Sequence, residues 1–385
     1  MSLVTKYYLI TAFHNAYFPL AIWTLYFVEQ WNFSFTQTML LFVVTFATST
    51  ILDLFGGMYA DAFGRKKSVV IGYALELVGI TSVILIDNFL VLIVCSVLTG
   101  IGAALISGSL DALVADELGV DSLKFKRTNG LVQMYLFLAR VVASIIGGWL
   151  YLQDERFPFI AYGVMVLCSL IVASTLHDNH VVEKAYERSA QFKDLLSLIR
   201  GSAVIRRVWF GLFLGTFAGD LIWVYYQAFY KSIGWSGFDL GILFACISLL
   251  SASGSWLVSR FHDVLTPQNI FKIAALATAL NGLLFLSGYW VLSLVGVAFM
   301  AVKSGMVEPA TRSYFSSVST NKNRATMLSL GSSAGGFGIL VGFMLSGILL
   351  DAGLHETLLT CVVVAACVYF VVIQTTTFPK QITNN

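Results

Sequence analysis

Ionisable side chains lie at intervals inside the long apolar stretches of this chain, and they are the residues best suited to chemistry. They are Asp53, Glu76, Asp111, Arg140, Asp220, Lys303 and Glu308, together with the titratable His14. A charge at the centre of a bilayer costs about 2.5–3.5 kcal/mol on insertion scales, so each is a functional candidate by default. Carboxylates and histidine can bind and release protons, whereas Lys and Arg hold anions. The pattern indicates proton or substrate binding inside a membrane.

Twelve apolar stretches could position these residues. The 385 residues are 58% hydrophobic and 11% charged, with a mean hydropathy of +0.82, which is far too apolar for a soluble domain. A spanning helix needs about 20 mostly apolar residues. The predicted spans lie near residues 6–28, 37–60, 68–86, 89–113, 129–152, 159–177, 205–230, 238–260, 268–287, 291–312, 323–350 and 355–375. We therefore expect an all-α membrane protein with twelve transmembrane helices.

A polar segment over residues 178–204 divides the chain nearly in half. It predicts a six-helix bundle over 1–177, a cytoplasmic linker over 178–204 and a second six-helix bundle over 205–385. A weak internal repeat supports duplication, because Gly108 and Asp111 match Gly305 and Glu308 at one constant offset. Two parallel halves around a site near the membrane midplane are a transporter architecture.

The basic residues predict the orientation of the chain in the membrane. Of the 23 Lys and Arg residues, Arg156 and Lys231 fall on one side of the predicted spans, and Arg140 and Lys303 fall inside spans. All the others fall on the side of the N-terminus. Because cytoplasmic loops carry the excess of Lys and Arg, both termini are expected in the cytoplasm, with the protein in the cell membrane.

The loop after the second span carries a patterned run of glycines, acids and bases. It reads DLFGGMYADAFGRKK from Asp53 to Lys67. This run resembles the signature between helices 2 and 3 of the major facilitator superfamily, and in particular that of its bacterial drug and metabolite exporters. It departs at Ala62, where the family often has Arg. The stretches at Arg324 and Asp351 resemble the pattern that brackets helix 11 of the superfamily, so the resemblance covers the whole chain.

The resemblance implies two six-helix halves around a central cavity, with helices 1, 4, 7 and 10 lining it. It also implies a conformational latch in which Asp61 faces the N-terminus of helix 11, where the helix dipole favours an anion. Gly57 and Gly64 permit close backbone approach and a tight turn. The expected latch residues are Gly57, Asp61, Gly64, Arg65, Asp116 and Arg324, with Arg65 pairing with Asp116.

In the first half, Asp53, His14 and Arg140 are expected at comparable depth on the basis of helical rise. Arg140 cannot give up its proton, so it requires a carboxylate or an anionic ligand. Two interpretations stay open for Asp53 with Arg140: a proton-coupling or substrate-binding pair, and a permanent structural ion pair. Glu76, on the third span, has no role that the sequence explains.

In the second half, polar and aromatic residues recur at helical spacing along span 7 and predict a face turned away from lipid. They are Thr216, Asp220, Trp223, Gln227 and Tyr230. Lys303 on span 10 is the expected counter-ion of Asp220. Glu308 is five residues further on, about 140° around the helix, and is expected on a different face. Glu308 and its repeat-mate Asp111 are equally interpretable as gating and as packing residues.

These patterns favour a secondary active transporter that works by alternating access. Proton-coupled efflux (antiport) of small amphipathic, cationic or zwitterionic compounds fits four acids against two bases in the expected cavity, and a proton-symport importer of a polar nutrient is the alternative. No catalytic motif or nucleotide-binding loop is present, so we expect no enzyme. The expected partners are a small-molecule substrate, protons and the lipid bilayer. We expect a monomer without cofactor, metal or nucleic acid.

Overall fold

The computed structural model describes residues 2–118, 123–177, 202–261, 264–319 and 324–378, and within them it leaves out the side chains of 53–63 and of several residues in 108–134 and 324–326. These ranges contain thirteen α-helices and no strand. The helices of the first half are α1 (Leu3–Asn15), α2 (Trp23–Gln30), α3 (Phe35–Phe63), α4 (Arg65–Leu85), α5 (Phe89–Leu118), α6 (Leu123–Gln153) and α7 (Phe157–Ser174). Those of the second half are α8 (Ala203–Ser232), α9 (Gly237–Arg260), α10 (Pro267–Leu286), α11 (Trp290–Ser317), α12 (Arg324–Asp351) and α13 (His355–Gln374).

Eleven of the described helices, from α3 to α13, are long and apolar enough to cross a membrane. They correspond to the second to twelfth predicted spans, and the all-α membrane fold is confirmed. Their outer surfaces carry many exposed large apolar side chains, among them Ile51, Leu85 and Leu283. Such surfaces are stable only against lipid, because water would not tolerate so much exposed apolar area.

The first predicted span, 6–28, is not one helix. It consists of α1, a single 3-10 turn over Phe18–Ala21, and α2. Pro19 explains the break, because proline has no N–H to donate and its ring displaces the carbonyl four residues earlier. The bent segment is held by α6: a Cβ on Gly147 would overlap the backbone of Phe18, so only glycine lets the two chains meet there.

The described residues form two compact units. The first contains the first half of the chain together with Tyr230–Cys246, and the second contains the remainder of the second half. Lys231 joins the Tyr230–Cys246 segment to the rest of the first unit through Glu29, which also binds Tyr151. Lys231 Nζ lies 3.1 Å from Glu29 Oε1, and the hydroxyl of Tyr151 donates to Glu29 Oε2 at 3.1 Å. The predicted boundary at 178–204 falls almost wholly outside the described residues.

The first unit is built around α4, α5 and α7. Helix α5 packs against both α3 and α4, while α7 packs against α1 and α4. Gly72 of α4 and Gly102 of α5 face each other, and a Cβ on either would lie under 3 Å from the backbone oxygen of the other. Small residues at such crossings let membrane helices approach closely and gain van der Waals contact.

The second unit uses the same device between α9 and α11. A Cβ on Gly305 would overlap the backbone of Ser251, and a Cβ on Gly254 would overlap that of Val302. The hydroxyl of Ser255 donates to the Gly305 carbonyl at 2.7 Å across the same contact. Around this crossing lies an apolar core whose largest members include Phe271, Tyr314, Phe315 and Tyr369.

Gly64 marks the turn between α3 and α4. Its φ of 92° and ψ of 140° lie in a region that is essentially reserved for glycine, and its carbonyl accepts the N–H of Ser68 at 3.1 Å, which starts α4. The tight turn predicted at this position is therefore present, and glycine is required by backbone conformation.

We expect Gly64→Ala to destabilise the protein by about 1–3 kcal/mol, because the added Cβ clashes with the backbone at positive φ. The measurement is thermal unfolding of the purified protein in detergent. Gly163→Ala in α7 is the matched control, since its Cβ would meet Ile80 Cγ2 at an ordinary 3.7 Å and alanine is the better helix former. Equal melting temperatures for the two variants would contradict the assignment.

Candidate functional site

A cavity of about 570 Å³ lies inside the second unit. Its walls come from α8, α10, α11 and α12, and most of the lining is apolar or aromatic, including Trp223, Tyr226 and Met300. Glycines on α12 let that helix close one side: a Cβ on Gly338 would lie 2.8 Å from Thr216 Cβ on α8. An apolar cavity of this size with a few polar groups is the usual form of a small-molecule site.

Asp220 of α8 supplies one of the charges of the cavity. Its Oδ2 is buried and has no hydrogen-bond partner among the described residues. A Cβ on Gly342 of α12 would lie 3.1 Å from Asp220 Cβ, so the glycine leaves room for the carboxylate to sit between α8 and α12. An unpaired buried carboxylate is costly, and it becomes favourable when it binds a proton or a cationic group.

Lys303 of α11 is the opposite charge in the same cavity. The residue is buried, and its Nζ lies 4.0 Å from Met300 Sδ. Lys303 is the expected counter-ion of Asp220, but no hydrogen bond or ion pair within 4 Å joins the two side chains in the described part of the chain. Both residues line the same cavity, and their charged groups stand apart across its space.

Asn281 of α10 is a third polar group of the cavity. It was not among the residues predicted from the sequence. It is fully buried, and neither Oδ1 nor Nδ2 has a partner within the described ranges. Gly296 of α11 makes room for it, because a Cβ there would overlap Asn281 Oδ1. The amide offers one acceptor and two donor hydrogens to a ligand. The feature of the sequence that could have indicated this residue is an amide side chain inside an otherwise apolar span.

Glu308 also lines this cavity, together with Arg312 one turn further along α11. Their side chains are exposed and form an ion pair at 2.8 Å. The expectation that Glu308 and Lys303 lie on different faces does not exclude either from the site, because the cavity is wide enough to reach both. Among the described lining residues there are therefore two acids and two bases, and their formal charges cancel.

The predicted polar face of α8 is only partly a cavity face. Thr216, Asp220 and Trp223 line the cavity, as does Tyr226, which the stripe did not include. Gln227 is buried outside the lining, with its Oε1 unpartnered among the described atoms. An α-helix turns about 100° per residue, so residues spaced three and four apart point in a range of directions. Not every residue of the stripe can therefore face one cavity.

In the first unit, His14 contacts Glu76 of α4. His14 Nδ1 lies 3.4 Å from Glu76 Oε2, and the hydroxyl of Tyr162 donates to Glu76 Oε1 at 2.5 Å. Glu76 is buried. No role for this residue could be inferred from sequence, because its partners come from α1 and α7 and only folding brings those helices to α4.

Arg140 of α6 donates to Asn15 Oδ1 at 3.3 Å, one residue beyond His14. The side chains of Asp53 and Asp111 lie outside the described set, so the meeting of Asp53 with Arg140 stays a prediction. Of the latch residues, Gly64 and Arg65 are described at the start of α4. Gly57 and Asp61 lie in α3, Asp116 in α5 and Arg324 at the start of α12, with side chains that are not described.

Sequence comparison decides the family. The model of the major facilitator superfamily matches residues 7–286 and again 209–384, which together cover nearly the whole chain. This chain belongs to the major facilitator superfamily. It is therefore a multi-pass membrane transporter, as the resemblance of its loop signature implied.

Relatives within the superfamily are distant. YxaM of Bacillus subtilis, an uncharacterized MFS-type transporter, is 25% identical over 370 residues, which cover 93% of this chain and 91% of YxaM. NorA of Staphylococcus aureus, a quinolone resistance protein, is 25% identical over 321 residues, which cover 81% of this chain and 80% of NorA.

Solved transporters of the same superfamily fold share the architecture at much lower identity. The nucleoside transporter NupG has a TM-score of 0.74 at 12% identity and covers 97% of this chain and 98% of its own. A D-xylose–proton symporter has a TM-score of 0.73 at 15% identity, with 98% and 97% covered. At these identities the likeness establishes the fold and leaves the substrate open.

Proposed function

We propose that this transporter exports small amphipathic zwitterions or cations in exchange for protons. The observation that carries the proposal is the cavity of the second unit, where the Asp220 carboxylate, with Oδ2 buried, and the buried Lys303 stand apart without an ion pair between them. Two separated, unneutralised charges in an apolar cavity are complementary to a ligand that carries both signs.

The charge balance of the cavity favours zwitterions over simple cations. The sequence predicted four acids and two bases over both halves of the chain; among the described lining residues of this cavity, Arg312 accompanies Glu308, so acids and bases are equal in number. The likeness to a quinolone resistance protein points the same way, because quinolones are flat aromatic acids and many carry a basic amine. Trp223 and Tyr226 supply aromatic surface for such a ring.

Proton exchange follows from the same carboxylate. A buried Asp can be neutralised by a proton or by the cationic group of a substrate, and the two compete for it. Binding of one therefore drives release of the other, which is the requirement for antiport. Asp53 with Arg140 in the first unit is a second candidate for coupling, and the same assay applies to Asp53→Asn.

The test is transport of ciprofloxacin, a zwitterionic quinolone, by the purified protein in liposomes. For antiport, an acidic lumen should drive the drug inward as protons leave, whichever way the protein is inserted. The alternative, proton symport, requires accumulation when the outside is the acidic side. A protonophore should abolish the gradient-driven part.

A ligand control separates zwitterions from cations. The methyl ester of ciprofloxacin keeps the amine and the aromatic ring but loses the carboxylate that Lys303 would hold. Ester transport at least as fast as that of the parent compound would remove Lys303 from substrate binding. Movement of neither compound in either gradient would count against the proposed substrate class.

We further propose that the protein lies in the cell membrane with both termini in the cytoplasm, on the basis of the Lys and Arg distribution. In a background without the five native cysteines, Asn88→Cys should react with a membrane-impermeant maleimide in intact cells. Ser189→Cys should react only after the cells are opened. Labelling of Ser189→Cys in intact cells would reverse the proposed orientation.

A further inference from the structure

We propose that Glu76 and His14 form a proton-binding pair in the first unit, a site that is separate from the cavity lined by Asp220 and Lys303. The pair rests on side-chain geometry that the helical pattern did not reveal. It places a titratable group on α4, a helix for which the sequence indicated no role in transport.

An ion-pair contact joins His14 and Glu76, and each of the two groups can hold a proton. Glu76 Oε1 accepts the hydroxyl of Tyr162 at 2.5 Å, which leaves Oε2 to face His14 Nδ1 at 3.4 Å. The imidazole also packs edge-on against Tyr73, with ring centroids 5.5 Å apart. Glu76 Oε2 and His14 Nδ1 have no hydrogen-bond partner among the described residues, so the contact between them is one of charge and proximity.

The helices packed around the pair contribute mainly phenols. Tyr73 comes from α4 and Tyr162 from α7, while Tyr17 from the broken first span packs edge-on to Tyr162 with centroids 4.5 Å apart. Arg140 of α6 is held on the adjacent Asn15. Further charged residues of the neighbouring helices whose side chains are not described are Asp53, Asp61, Asp111, Asp116, Glu117, Lys124, Lys126 and Arg127.

One proton makes the pair neutral. Held as carboxylic acid with imidazole, or as carboxylate with imidazolium, the pair has no net charge, and loss of the proton leaves one uncompensated negative charge in an apolar interior. The side chain of His14 is 32% exposed and that of Glu76 is 11% exposed, but His14 Nδ1 itself is buried, so the proton enters and leaves at the other nitrogen of the imidazole, Nε2. The carboxylate is thus reached through the histidine.

Proton occupancy is linked to the break in the first span. His14 lies in the last turn of α1, directly before the irregular segment that contains Pro19. Glu76 is anchored to α7 through Tyr162, so movement of α1 at the break changes the distance between His14 and Glu76. Any conformation that separates them favours release of the proton, and protonation in turn favours the closed pair.

The test counts protons without any substrate. Purified full-length protein in lipid nanodiscs is titrated from about pH 9 to about pH 5, the range in which histidine ordinarily changes charge. The double variant Glu76→Gln with His14→Gln should take up one proton fewer per molecule than the wild type. Equal proton uptake would overturn the inference, because it would mean that the pair does not titrate.

Tyr162→Phe is the control for a merely structural role. It removes the hydrogen bond to Glu76 and leaves both titratable groups in place, so its proton count should equal that of the wild type. A count one proton lower in Tyr162→Phe would show that disturbing this cluster is enough to change the titration, and would also overturn the inference. All variants are compared as monodisperse protein of equal helix content.

The inference rests on the proton coupling proposed above, and the two fail separately. In liposomes, Glu76→Gln should slow drug movement driven by a pH gradient by about tenfold while movement driven by a drug gradient continues. A wild-type protein that binds the proton but shows no gradient-driven transport would disprove coupling and leave the site standing. Full gradient-driven transport in Glu76→Gln would disprove its part in coupling.

Discussion

Asp220→Asn is expected to abolish transport driven by a pH gradient and to leave exchange of labelled for unlabelled drug across the membrane measurable. Asparagine keeps the shape of the side chain and can accept a hydrogen bond, but it cannot carry a proton or a negative charge. If Asp220 binds a proton and a cationic ligand group in turn, the asparagine variant loses this exchange while the cavity keeps its shape. The loss of coupling should be complete within the sensitivity of the assay.

The measurement is ciprofloxacin uptake into liposomes with and without an acidic lumen. Asp239→Asn is the matched control, because Asp239 is an exposed acid that caps α9 by accepting the hydroxyl of Ser236 at 2.6 Å and does not line the cavity. It should retain gradient-driven uptake. Asp220→Asn with undiminished gradient-driven uptake would place the proton site elsewhere, with Glu76 and Asp53 next to be tested.

Asn281→Leu is expected to make the protein more stable and its ligand binding weaker. The amide is fully buried with neither polar atom partnered among the described residues, and such a group costs about 1–3 kcal/mol. Leucine is close to asparagine in shape and carries no polar atom, so this cost disappears in the free protein. The ligand then loses the one side-chain amide of the described lining, and its affinity for the protein should fall about tenfold to a hundredfold.

Both effects can be read from one thermal-shift experiment with and without ciprofloxacin. Thr278→Val, one turn earlier on α10, is the control, because the Thr278 hydroxyl already donates to the Ala274 carbonyl at 2.8 Å and the residue does not line the cavity. This variant should keep the ligand-induced shift and show no gain in stability. A lower melting temperature for Asn281→Leu without ligand would mean that the amide has a structural role.

Much of the architecture follows from the sequence. Spans two to twelve are apolar runs long enough to cross a bilayer, and the lipid requirement for internally satisfied backbone groups leaves helices as the form such runs take. The segment from Asp53 to Lys67, which spans the end of α3 and the start of α4, resembles the superfamily signature through its glycines and charges, which are local features. Gly64 is an example, because glycine adopts this positive φ without needing any partner from a distant part of the chain.

The site was only partly accessible from sequence. Asp220 and Lys303 were identifiable because each is an isolated charge in an apolar run, and the energy that makes such a charge rare is a property of the residue and its span. Whether the two touch depends on how α8 and α11 are spaced, and that spacing is set by glycine contacts with other helices. The structure holds them apart in one cavity.

The partners of His14 and the role of Asn281 were decided by tertiary structure alone. Depth along a helix placed His14 level with Asp53, and that meeting stays a prediction, but depth specifies one coordinate of three, and the rotation and neighbours of α1 decide its contact with Glu76. Asn281 is buried without a partner because Gly296 on α11 makes space for it. Helical periodicity describes one helix at a time, whereas a cavity exists only where several helices fail to fill the space between them.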